Sequence, residues 1–409
     1  MNNVLLKKYA KLIVKTGVNL QPGQPLVIVS PIECAYFARV VAELAYQEGA
    51  SEVTVHWKDE LLAKVKFLFA PEKVFEKFPQ WEKELYTDSV RAGAAFISIA
   101  ASDPEILKDV KPDLVAKAQK AASTALAEYR EKLMSNQNTW CVVSIPTVAW
   151  AKKVFPGMPE TEAIEKLWQA ILKTVRVDAQ DPVVAWDEHK NNLKQKLDFL
   201  NTYKFKYLHY KNSLGTDLTV ELPENHIWLG GSEYTPGKVE FIANMPTEEV
   251  FTVPKRTGVN GTVVSSKPLN YNGNLIENFS LTFKAGKVVD FKAKKGQDVL
   301  KNLLANDDGA AYLGEVALVP FDSPISNTNI LFYNTLFDEN ASCHLALGKA
   351  YPVCLAGSEN MDKDSLIVAG VNDSLVHEDF MVGTKDLEII GTTAEGAQIP
   401  VFKNGNFAI

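Results

Sequence analysis

The texture of this chain changes near residue 202, and that change limits the folds open to it more than any other feature. Before it, short apolar runs alternate with amphipathic stretches, the strand, helix, strand rhythm of an α/β domain. Pro25-Leu26-Val27-Ile28-Val29-Ser30 reads as a buried strand, Ala35 to Gln47 as a helix closed by Gly49, and Glu52-Val53-Thr54-Val55-His56-Trp57 as the next strand. Ala94 to Ala100 and Trp140 to Pro146 repeat the strand signal, with helices expected over Asp113 to Met134 and Thr161 to Val175. The latter sets Ile164, Leu167, Trp168, Ile171 and Leu172 on one face. A polar helix from Asp187 to Asn201 closes this half.

After it, strands dominate. Lys206 to Tyr210, Thr216 to Leu222, Leu281-Thr282-Phe283 and Val288 to Phe291 alternate or run β-branched, separated by turn signals such as Asn272-Gly273-Asn274 and Ala285-Gly286-Lys287. The expected organisation is an α/β N-terminal domain over residues 1–202, followed by a β-rich α+β domain over 203–409. A length of 409 residues exceeds what one hydrophobic core usually fills, which agrees with two domains.

Composition narrows the partners. With 43 Lys+Arg against 50 Asp+Glu the formal charge is -7, which leaves no basic footprint for a nucleic-acid backbone. No run of about 18 apolar residues exists to span a bilayer. The N-terminal stretch from Met1 to Lys11 interrupts its apolar residues with lysines, unlike a secretory leader. Cys34, Cys141, Cys343 and Cys354 form no C-x-x-C pair and read as reduced thiols. A cytoplasmic protein is expected.

Several motifs fail. The loop Ser30-Pro31-Ile32-Glu33-Cys34 has no glycine to let a pyrophosphate approach. Gly231 to Val239 resembles a phosphate loop but has one residue too many and Val239 where a hydroxyl belongs, so a surface hairpin is expected. No G-x-S-x-G and no H-E-x-x-H occurs.

Six histidines remain to be weighed. His56, His189, His209 and His226 lack an acidic partner at useful spacing, apart from Glu188 and Glu224, and read as solvated surface. His377 and Asp379 lie two apart in a strand-like stretch, which puts both on one face, where they can converge on one ion or on each of an adjacent pair. His344 falls in Asp338 to Pro352, read as a helix capped by Asp338 or Asn340 and stopped by Pro352, with Tyr351 two turns on and sharing its face. Glu339 stands at that helix's first turn. Glu249 and Glu315 each head an apolar strand-like run, Val250 to Pro254 and Val316 to Pro320.

The segments Pro246 to Thr252, Leu313 to Val319, Asp338 to Tyr351 and His377 to Gly383 together resemble the aminopeptidase T, aminopeptidase S and streptococcal-type PepS family, over the whole chain and in the same order. The resemblance implies a pair of divalent ions, zinc or cobalt, held by Glu249, Glu315, His344, His377 and Asp379, with Tyr351 as an accessory group. It also implies short peptide substrates of broad N-terminal specificity and a homodimer. Glu339 is expected as an additional ligand from its position, and Glu248 as the general base by analogy with other two-metal aminopeptidases. A non-catalytic metal-binding protein and a two-metal hydrolase of another amide or ester are the competing readings.

Overall fold

The computed structural model describes residues 3–409; Met1 and Asn2, which open the lysine-interrupted stretch, lie outside the described residues. The chain separates into two compact units, the first made of residues up to Asn191 with Ser232–Thr247 and Ile330–Leu336, the second of Asn192–Gly231, Glu248–Asn329 and Phe337–Ile409. The division falls inside the helix Pro182–Tyr203, and two short later segments return to the first unit.

The first unit is built on a four-stranded sheet in the order Val53–Lys58, Leu26–Pro31, Ala95–Ile99, Trp140–Val143, every pair parallel. Parallel neighbours need a long crossover, and the helices between these strands supply it. The helix Ala35–Gln47 buries Phe37, Ala38, Val41 and Ala45, a stripe at helical spacing. Glu160–Thr174 buries Leu167, Trp168, Ile171 and Leu172 as its periodicity requires, with Ile164 half-buried. The helix expected over Asp113 to Met134 is two, Pro112–Ala125 and Ala127–Met134, broken at Leu126. Gly231 to Val239 contributes to a hairpin, Glu233–Tyr234 pairing with Glu240–Phe241.

The second unit holds two antiparallel sheets. The nine-stranded sheet runs from Leu269–Tyr271 through Asn274–Lys284, Val259–Val264, Asp217–Glu221, Tyr207–Lys211, Glu388–Thr392 and Gln398–Lys403 to Asn406–Phe407, with Lys287–Lys295 also paired to Asn274–Lys284. Asn272 and Gly273, both at positive φ (49° and 72°), form the two-residue turn that suits the twist of a hairpin. The five-stranded sheet runs His377–Met381, His344–Gly348, Leu313–Leu318, Val250–Thr252, Leu229–Gly230. One face of it packs Val250, Val316, Leu318, Leu345, Leu347 and Phe380 into a core shared with Leu208, Tyr210, Leu218 and Val220 of the larger sheet. Each such side chain contributes about 1.5–3 kcal/mol by leaving water, so this face is firmly fixed and its reverse is held rigid for chemistry.

All four cysteines are free and buried. Among the described residues, no helix is long and apolar enough to cross a membrane.

Candidate metal centre

Strand register assembles the site. In antiparallel pairs, residues directly opposite each other share a face. Glu315 lies opposite Ala346, and Ala346 opposite Asp379, so the two acids flank a methyl group. One row along, Ala317, His344 and Met381 line up; one row the other way, Gly348 faces His377. Glu315, His344, His377 and Asp379 therefore share one face of the sheet, and the residues between them, Ala317, Ala346 and Gly348, are small enough to leave room above it. Phe251 lies opposite Ala317 on the same face, and Glu249 precedes its strand by one residue.

A register shift between Leu313 and Glu315 makes this possible. Without it both side chains would point the same way; with the bulge, Leu313 joins the core while Glu315 turns to the opposite face. Gly314 sits in the bulge because a Cβ there would lie 2.4 Å from the Lys349 carbonyl oxygen.

Two groups of ligand atoms result, each with its atoms within 4.8 Å of one another: Glu249, Glu315 and His344; and Glu315, His377 and Asp379. Glu315 belongs to both. Its Oε1 is 3.7 Å from His344 Nε2 and its Oε2 3.4 Å from His377 Nε2. Glu249 Oε2 is 2.9 Å from His344 Nε2, and Asp379 Oδ1 is 3.6 Å from His377 Nε2.

The histidine tautomers follow from their other contacts. His344 Nδ1 lies 3.0 and 3.1 Å from the Glu339 and Ser342 carbonyl oxygens, and His377 Nδ1 lies 2.6 Å from that of Lys349. Carbonyl oxygens only accept, so both Nδ1 atoms carry the proton and both Nε2 atoms face carboxylates. A lone pair cannot rest 2.9 Å from a carboxylate oxygen unless a proton or a cation lies between them. Glu249 Oε2 and Asp379 Oδ1 are themselves buried without a hydrogen-bond partner. Two imidazole nitrogens with three carboxylates, poised around two points, are donors of the kind that divalent transition ions take, so these residues fit such ions.

Electrostatics agree with that fit. Burial alone would lower the pKa of His344, but Glu249 and Glu315 overcome it and hold it well above its usual value. Burial likewise works against the proton on His377, and Asp379 and Glu315 outweigh it. Burial pushes Glu315 up, yet His344 and His377 bring it down to about 2. Burial raises Glu249, and burial followed by Asp379 and Glu249 raises Glu339 well above the carboxylate range. The carboxylates that hold both histidines' pKa values up make protons competitors of an ion for the two Nε2 atoms. Incoming ions must expel those protons, so metal affinity falls as pH is lowered, the raised pKa values carrying this competition to higher pH. Calorimetry in two buffers of different ionisation enthalpy should show proton release at neutral pH; buffer-independent heats would contradict it.

The helix expected over Asp338 to Pro352 is not there. A short helix Thr335–Asp338 and a 3-10 turn Glu339–Ala341 lead into the strand His344–Gly348. Leu345 and Leu347 point to the core, while His344 and Ala346 point to the site. Tyr351 therefore does not share a helix face with His344. It follows the strand and sets its ring edge-on to His377, with centroids 4.9 Å apart. Glu315 is the third residue of its strand rather than its head.

Glu339 belongs to neither trio of ligand atoms; its carbonyl orients His344, and its carboxylate accepts from Asn340 Nδ2 at 3.2 Å. Glu248 is buried in the non-strand approach to Val250, its N–H donating to Asn340 Oδ1 at 2.8 Å. The alternation that would turn it away from Glu249 in a strand does not apply there. Asn340, fully buried and touching both acids, was not singled out in the sequence, where an asparagine near a helix start reads only as a cap.

The other histidines take structural places, and His56 and His226 are less solvated than expected. His56 is buried, its Nδ1 2.9 Å from Tyr86 Oη and its Nε2 3.6 Å from Glu82. His226 is buried and bonded to the Pro223 carbonyl oxygen. His189 contacts the Thr247 carbonyl oxygen, and exposed His209 pairs with Asp217 across a hairpin.

A buried cluster of carboxylates and imidazoles on the rigid reverse of a core sheet defines a metal-dependent class of protein. Comparison with known proteins makes it specific: the thermophilic metalloprotease (M29) family model matches residues 2–407, and the chain belongs to that family. It is 51% identical over 403 residues to aminopeptidase 2 of Geobacillus stearothermophilus, covering 98% of this chain and 97% of the relative. Aminopeptidase T of Thermus thermophilus is 41% identical over 404 residues, 99% of this chain and 98% of the relative. A solved structure, wild-type AmpT from Thermus thermophilus, superposes with a TM-score of 0.90 at 40% identity, covering 99% of both chains. The chain is thus a metal-dependent aminopeptidase with mixed helices and sheets, as the resemblance implied.

Proposed function

We propose that this chain removes the N-terminal residue from short peptides with the help of two divalent ions, zinc or cobalt, which Glu249, Glu315, His344, His377 and Asp379 would hold. The observation that carries this reading is the two overlapping trios, Glu249, Glu315 and His344 beside Glu315, His377 and Asp379. When bound, such ions supply Lewis acidity and a water whose pKa falls toward neutrality.

The chain's own residues do the rest. Glu248 takes the proton from the attacking water, since it is buried next to Glu249 and lies outside both trios. Tyr351 donates a hydrogen bond to the oxygen on which negative charge develops; its ring stands against His377. The Glu339 carbonyl and the Lys349 carbonyl keep His344 and His377 in the tautomer that frees Nε2. The family resemblance supports a homodimer, broad N-terminal specificity and a cytoplasmic role in peptide turnover.

Dialysis against a chelator, followed by assay on aminoacyl-anilides, tests the reading. Activity should disappear with the ions and return with zinc or cobalt, and on a sizing column it should travel with a two-chain species. Ion binding without amino-acid release would leave a non-catalytic protein; release that is indifferent to chelator would remove the metal from the account.

A further inference from the structure

Asn372 lies five residues before His377 and is 1% exposed. Its Nδ2 donates to the Gly348 carbonyl oxygen at 2.6 Å and to that of Gly309 at 2.9 Å, and its Oδ1 accepts from Arg256 Nε at 3.0 Å. Its own carbonyl accepts from the Ala350 N–H at 3.0 Å. Gly348 and Ala350 flank Lys349, whose carbonyl accepts from His377 Nδ1 at 2.6 Å and whose N–H donates to the Val376 carbonyl at 2.6 Å. Asn372 therefore staples both ends of the short bridge that orients His377, and Tyr351 follows that bridge directly.

Arg256 is itself fixed. Its guanidinium lies 3.9 Å from the centre of the Tyr312 ring, and its backbone N–H donates to the Gly370 carbonyl at 2.7 Å. The planar group is set so that Nε meets Oδ1, which leaves both Nδ2 hydrogens for the two carbonyl oxygens. Only a carboxamide satisfies all three contacts: an aspartate would set an oxygen against the Gly348 oxygen where a donor is needed.

We propose that Asn372, held by Arg256, is a positioning residue for His377 and sets the affinity for the ion of the Glu315, His377 and Asp379 trio. In the other trio, His344 is oriented by the Glu339 and Ser342 carbonyls and not by the bridge at Lys349. The proposal rests on the two-ion reading, and the experiment separates the two.

Asn372→Asp is near-isosteric. Cobalt binding is measured by competition with a chromophoric chelator, and the visible absorption of bound cobalt is recorded, on wild type, Asn372→Asp and His377→Ala. The His377→Ala protein identifies which ion belongs to that trio. Asn372→Asp should bind that ion about 10–100-fold more weakly, with an altered cobalt spectrum, while the other ion binds as in wild type. A folded Asn372→Asp that binds both ions as wild type does would overturn the proposal. If Asn372→Asp does not fold, Arg256→Lys, which keeps the charge but loses the Nε contact and the planar stack, decides it: weaker binding at the same ion supports the proposal, unchanged binding overturns it. A wild type that binds one ion would end the two-ion reading, and the proposal would then stand or fall on whether Asn372→Asp weakens that one.

Discussion

Glu315→Gln should cost the protein at least one of its two ions and on the order of 10³-fold or more in turnover, since removing a metal's contribution to the transition state costs several kcal/mol at about 1.4 kcal/mol per tenfold. Glu315 faces His344 with one oxygen and His377 with the other. A glutamine keeps one oxygen and replaces the second by an NH2 group that has no lone pair to offer. Whichever way the amide turns, one trio loses a ligand, and the bridge between them is broken. The side chain is near-isosteric and the residue is only 4% exposed, so the fold should persist. Metal content after dialysis and kcat on an aminoacyl-anilide read the effect. A Glu315→Gln protein that keeps two ions and wild-type turnover would remove Glu315 from its shared position.

Glu248→Gln should separate chemistry from metal binding. Glu248 is outside both trios, so both ions should remain, while loss of a general base lowers kcat by about 10²–10⁴-fold. Its backbone anchor, the N–H bond to Asn340, is untouched by the change. An active Glu248→Gln variant with full metal content would send the search for the base elsewhere in the site.

What the sequence made legible depended on whether a local pattern carried the chemistry. The His377 and Asp379 pair stands on a strand whose period puts alternate residues on one face, and the structure brings both to Glu315. The strand edges of the first unit were legible because buried parallel strands read as short unbroken apolar runs, and helix Ala35–Gln47 because its stripe and terminating glycine agree.

The segment around His344 was not legible, for a physical reason. His344 to Gly348 is buried on both faces, so no polar alternation marks it as a strand, and alanine and leucine are strong helix formers. Pairing with the Glu315 strand on one side and the His377 strand on the other overrides that preference. The bulge at Gly314 was equally hidden: a glycine beside Glu315 says nothing of the Lys349 backbone that presses against it. Glu249 and Glu315 look alike in sequence, two acids near apolar runs, and only the register reveals that Glu315 alone belongs to both trios. The segments that return to the first unit carry no composition that sets them apart.

Diffraction from crystals soaked in zinc, with data collected on either side of the zinc absorption edge, tests the central claim most directly. The account predicts two anomalous peaks about 3.5–4 Å apart, one beside Glu249 and His344 and the other beside His377 and Asp379, with Glu315 between them. A single peak, or peaks away from Glu315, would contradict it.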